Sequence, residues 1–213
     1  MSDLTSGPGS GDASSGDAPL EDVPAVALEA GELSDFAREI AGHAATFLSG
    51  VAEVATGAAP ETAISALIVQ LAQVSMAGAM LGAVHDVVPV ERFETDTGPD
   101  PDLDPLRESL AGLLEGIDDY AAVFDPLLST EPTLGRISDD IADVAGDLSH
   151  GLRHYRGGRL DEALWWWQFS YLSSWGQQAL SAQRALLSIV SHQRLDVDEE
   201  SATAAEADAL LRD

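Results

Sequence analysis

Apolar positions recur along this chain with the period of an α-helix. Phe36, Ile40, Phe47, Val51 and Val54, with Ala44 between them, predict a first helix from about Leu33 to Thr56, with Ser34 as its N-cap and Gly57 as its stop. A second is predicted from Pro60 to about His85, with Ile64, Leu67, Ile68, Leu71, Val74, Gly78 and Leu81 on one face. A third starts at Asp104 and Pro105 and carries Leu106, Leu110, Leu113, Ile117, Tyr120 and Phe124. The fourth runs from about Leu134 to Arg156 and shows Ile137, Ile141, Val144, Leu148, Leu152 and Tyr155, ending at Gly157 and Gly158. The fifth, the longest, runs from near Leu160 to about Arg194. No stretch alternates with the period of a strand, so none is predicted. The expectation is an all-α, antiparallel bundle of about five helices over residues 33–195. Residues 1–32, rich in Gly, Ser, Asp and Pro at their start, are expected to be a disordered tail. Residues 196–213 are expected to be an acidic tail with at most a frayed helix.

Two helices carry more than a core stripe. All four tryptophans fall between Trp165 and Trp175. Helical spacing places Trp165, Phe169, Leu172 and Trp175 on the core face, continued by Ala179, Leu186 and Val190. Trp166, Trp167 and Tyr171 then point elsewhere, and Trp166, beside Ser170 and Ser173 or Ser174, is the candidate for a ligand or partner surface. On the fourth helix, Asp143, Asp147, His150 and His154 fall within about 60° of one another, with Asp140 beside them. Carboxylates and imidazoles at such spacing are how bundles assemble metal sites, provided a second element adds ligands. Glu39, His43 and Glu53 on the first helix are the expected contributors. The competing expectation is a solvated acidic face.

Charge narrows the choice of partners. The chain has 10 Arg, no Lys and 37 Asp and Glu, for a formal net charge of −27. Such a surface repels nucleic-acid backbones and anionic membranes and tolerates metal ions or basic proteins. Arg153, Arg156 and Arg159 form a basic spot at the end of the fourth helix, a further candidate ligand surface. Residues 63–84 carry no charge and are long enough to span a bilayer. Gln70 and Gln73 interrupt them and acids flank them, so a helix at the centre of the bundle is expected and no membrane span. The absence of Cys removes disulfides and thiolate sites and fits a cytoplasmic protein. No Gly-x-Ser-x-Gly turn, phosphate loop or His-Glu-x-x-His motif occurs. The first expectation is therefore a non-enzymatic helical bundle that binds another protein or a second copy of itself, without a cofactor. The alternative is a bundle that binds a divalent metal or small ligand through the Asp/His stripe.

The stretch from Leu160 through Asp161, Glu162 and the aromatic run to Gly176, with Ala185-Leu186-Leu187 and the closing His192-Gln193-Arg194-Leu195-Asp196, resembles a bacterial family common in actinobacteria. It is the domain-of-unknown-function family numbered 5063. Asp140-Ile141-Ala142-Asp143 onward to Leu148 is similar to that family's preceding helix. The resemblance implies an all-α domain over about 33–196 and a bacterial cytoplasmic source. It implies no activity and no catalytic residues.

Overall fold

A computed structural model describes residues 25–210 except Arg92 and Phe124, with side chains up to Leu195. The expected tail at 1–24 lies outside the described residues. Helix α1 spans Ala30–Ala55 and α2 spans Ala63–Ala83, entered through a short 3-10 turn at Pro60–Thr62. Helix α3 is Asp104–Leu113, and a hairpin of β1, Asp119–Ala122, and β2, Thr133–Arg136, follows. Helix α4 is Ile137–Arg156. Helix α5, Leu160–Ser170, passes through a π-helical turn, Tyr171–Trp175, into α6, Gly176–Leu210.

The bundle closes around one core. Ile40, Phe47 and Val51 of α1, Leu67, Leu71 and Leu81 of α2, Ile141 and Leu148 of α4, and Trp167 and Trp175 all lie in it with almost no exposure. Helix α2 meets the length and apolarity of a membrane span, yet Leu67, Leu71, Val74 and Leu81 pack into this core.

Four local expectations need correction. Helix α1 begins earlier, at Ala30, and Glu32 rather than Ser34 closes its start: its carboxylate accepts from the Glu29 N–H at 2.9 Å. Just before it, Val26 forms a parallel bridge to Val84, so the ordered chain extends into the expected tail. Helix α3 stops at Leu113 instead of continuing to Phe124, which lies outside the described residues. Gly116 takes φ 84°, a left-handed conformation that ends helices, and the chain reverses into the hairpin. Tyr120 there pairs with Gly135, where a Cβ would stand 2.9 Å from the tyrosine ring. The strand residues 133–136 also delay α4, whose exposed N–H groups are met by Asp118: its carboxylate accepts from the Ser138 N–H at 2.8 Å and hydroxyl at 2.7 Å. Helix α6 reaches Leu210, within the segment where the sequence allowed a frayed helix.

The fifth helix is re-phased by its π turn. A π turn inserts one residue and rotates everything after it. Trp167 and Trp175 consequently share the core face, and the Trp175 indole N–H donates to the Trp167 carbonyl at 3.3 Å. Phe169 and Leu172, expected in the core, are 53% and 62% exposed. Tyr171 fills the space above Gly78 and Gly82 of α2.

Glycines mark the close approaches. A Cβ on Gly151 would collide with the indole of Trp167, which is fully buried, whereas one on Gly42 would meet nothing within 4 Å. Gly151→Ala is therefore expected to lose about 1–2 kcal/mol, overpacking outweighing the gain in helix propensity. Gly42→Ala should gain about 0.5–1 kcal/mol. Urea denaturation of the two variants checks both signs.

Candidate metal centre

Helix α4 has one face in the core, where Ile137, Ile141, Val144, Leu148 and Leu152 are buried as the period predicted. Opposite that face the expected five-residue stripe divides. Asp140 accepts a hydrogen bond from the Tyr120 hydroxyl. Asp143 accepts from Arg107 Nη2 at 3.0 Å and from Gln178 Nε2 at 3.0 Å. Both carboxylates are thus engaged in holding neighbouring elements. Asp147 is half-buried and lines a cavity of about 370 Å³ with Asp100, Leu103, His150, Trp166 and others.

His150 and His154 converge with a residue that sequence reading did not select. Their Nε2 atoms are 3.3 Å apart, Glu94 Oε1 lies 2.9 Å from His154 Nε2, and the same oxygen is hydrogen-bonded to His150 Nε2. All three donor atoms lie within 4.8 Å of one another. Glu39, His43 and Glu53 take no part; the third group comes from the connection between α2 and α3.

That connection, residues 84–103, is a strap held at several points. The Gln168 amide, buried on α5, donates to the Leu81 and Val84 carbonyls at 2.9 and 3.2 Å, and its oxygen accepts from the Val87 N–H at 2.9 Å. Arg153 of α4 donates to the Pro99 carbonyl and to the Asp100 carboxylate. Leu103 packs against Gly146, where a Cβ would come within 3.0 Å. Glu94 falls between these anchors. A pattern of charged and proline residues in an irregular segment carries no periodicity, so nothing in the sequence could have placed Glu94 over α4.

The surroundings of the histidines are asymmetric. His150 Nδ1 faces Asp100 Oδ1 at 3.1 Å and Arg153 Nη2 at 2.8 Å, and its ring packs against Trp166 with centroids 4.1 Å apart. His154 is 1% exposed, and its Nδ1 has no hydrogen-bond partner. Glu162 Oε2, also buried and without a hydrogen bond, is 3.9 Å from it. Trp166 forms a wall of the site, its indole N–H donating to the Asp147 carbonyl at 3.0 Å. Trp167 is buried and bonded to the Leu148 carbonyl, so it belongs to the core and not to a ligand surface. Tyr171 likewise packs between helices. Of the basic spot, Arg153 joins the site, while Arg156 is exposed with no ion pair among the described residues.

Electrostatics follow from these contacts. Burial opposes ionisation of Glu94, but the hydrogen bonds to His150 and His154 prevail and hold its pKa below the ordinary value. Hydrogen bonds from His150 and Arg153 likewise lower that of Asp100. Burial, reinforced by Asp143, raises Asp147 to about 6, and burial raises Asp140 to about 6.

The donor set is two imidazoles and one carboxylate. Ligands about 2.0–2.1 Å from a tetrahedral zinc ion lie about 3.3–3.4 Å apart, close to the 3.3 Å between the two Nε2 atoms. Three protein ligands leave a coordination position open. The histidines are four apart on one helix, but Gly151 stands where a His-Glu-x-x-His helix carries its general base. The packing of Trp167 against Gly151 leaves no room there for a larger side chain.

The fold and this cluster define a helical bundle with a histidine–carboxylate centre under a strap. The chain belongs to the domain-of-unknown-function family DUF5063, which it matches over residues 31–192. No curated protein matches it. The crystal structure of protein BF1032 from Bacteroides fragilis is similar, with a TM-score of 0.57 at 21% identity over 71% of this chain and 89% of that one. That likeness shows the fold.

Asp147 offers a test of the electrostatics. Its folded pKa is raised, so between about pH 4 and pH 6 the folded state holds a proton that the unfolded state has released, and stability falls as pH rises through that window. Asp147→Asn should therefore be more stable than the parent at pH 8 and lose that advantage at pH 4. Urea midpoints at the two pH values check this.

Proposed function

We propose that the protein is a metal-binding bundle that holds one divalent transition-metal ion at Glu94, His150 and His154. The single observation that carries the reading is the convergence of these three donor atoms within 4.8 Å, one of them on a buried histidine. Imidazole and carboxylate ligands suit zinc, and also manganese, iron, cobalt and nickel. Magnesium and calcium, which take six or more oxygens, fit a two-nitrogen set poorly. Asp100 behind His150 supplies the outer carboxylate that metal-bound histidines usually have.

Zinc or cobalt added to the metal-free protein should bind at about one equivalent and raise Tm. At a hundred times Kd the stabilisation is about 2.7 kcal/mol, or about 5–11 °C for a chain of this size. Glu94→Gln and His154→Ala should each weaken binding by more than the roughly 10–100-fold of an outer-shell change. Calorimetry showing no zinc or cobalt binding, and no change of Tm, would remove the reading.

A second reading, docking of another protein or a second copy, is supported by the exposed apolar side chains Phe169, Leu172, Leu180 and Leu187. Leu180 and Leu187, seven apart, share a face of α6. If that face self-associates, sedimentation should show a dimer that Leu180→Glu dissociates; a monomer at all concentrations would exclude the second copy.

A further inference from the structure

The unpaired atoms behind His154 point to a residue outside the three ligands. This inference rests on the metal-binding reading. In the described geometry His154 Nε2 is 2.9 Å from a Glu94 oxygen, and an ionised carboxylate can only accept. When the His154 ring holds a single proton, that proton sits on Nε2 and Nδ1 presents a bare lone pair. That lone pair faces Glu162 Oε2, 3.9 Å away, and neither atom has a hydrogen-bond partner despite burial. Two acceptors facing each other satisfy nothing.

Coordination reverses this arrangement. A metal at Nε2 needs the lone pair there, so the ring proton must sit on Nδ1, where the nearest acceptor is Glu162. We propose that Glu162 is the positioning residue of the site: its carboxylate accepts a hydrogen bond from the His154 Nδ1–H when the cation takes Nε2. Hydrogen-bond contact requires the gap to close by about 0.7–1.2 Å, within the reach of a side-chain adjustment. Arg159 Nε, 3.6 Å from the same oxygen, holds the carboxylate at this corner. In the singly protonated ring no proton is gained or lost; it moves from Nε2 to Nδ1. His150 needs no such movement. Its Nδ1 already meets a donor, Arg153, and an acceptor, Asp100, so either tautomer is accommodated. The switch is thus specific to the buried histidine.

The test uses the full chain, zinc as the probe, and two variants. Long-range nitrogen–proton NMR of the histidine rings should show His154 with its proton on Nε2 in the metal-free protein and on Nδ1 with zinc. Glu162→Gln retains a weaker acceptor and should lower zinc affinity about tenfold; Glu162→Leu, which has none, should lower it toward a hundredfold. A residue that served only to pack would not move the tautomer or produce this graded order. Zinc affinity unchanged in Glu162→Gln, or the same His154 tautomer with and without zinc, overturns the proposal while the metal site stands. Failure of the parent protein to bind zinc overturns both. Should Glu162→Leu not fold, the Gln variant and the tautomer measurement decide alone.

Discussion

The packing of Trp167 into the notch at Gly151 sets the geometry on which the site depends. The indole reaches the α4 backbone, donates to the Leu148 carbonyl at 3.2 Å, and fixes α5 against α4 in one register. Burying a tryptophan without exposure is among the larger single contributions a core residue makes, and its removal typically costs about 3–5 kcal/mol. In the same register Trp166 lies against His150 and Glu162 comes up behind His154. The centre is therefore assembled by a core contact.

The strap is positioned by a different kind of force. Its first part is bound through a neutral amide, Gln168, to backbone groups. Its later part is bound through ionisable groups: Glu94 and Asp100 against His150, His154 and Arg153. In a chain with a net charge of −27, basic side chains are scarce, and Arg153 and two histidines gather where two acids of the strap descend. A divalent ion placed there would replace shared hydrogen bonds by coordination and offset the local excess of negative charge.

How much of this was legible in the sequence depends on whether periodicity carried it. The core face of α4 and the pairing of His150 with His154 on one side of the helix followed from 100° per residue, and the structure has both. The all-α bundle and the family resemblance followed from the same pattern and from the aromatic run. What failed were features without a period. The π turn breaks the phase after Ser170, so no single straight helix relates Trp175, Ala179 and Leu186 to the residues before it, where Trp167 is in the core and Phe169 is exposed. The hairpin is four residues per strand, with a glycine opposite a tyrosine, too short for alternation to register. Glu94 sits in a loop, and its placement depends on Gln168, Arg153 and Gly146, residues 52 or more positions away.

The division of the acidic stripe explains why residue type alone misleads here. Asp140, Asp143 and Asp147 looked equivalent to the histidines by spacing. Asp140 meets Tyr120 of the hairpin, and Asp143 meets Arg107 of α3 and Gln178 of α6, so both serve to tie α4 to its neighbours. Near the C-terminal end of α4 side chains remain that structural hydrogen bonds have not fully absorbed. His154 there is enclosed yet makes no hydrogen bond at Nδ1, and Glu162 is enclosed yet makes none at Oε2. A buried polar atom left without a hydrogen bond is unfavourable by about 1–3 kcal/mol, and here two such atoms stand 3.9 Å apart.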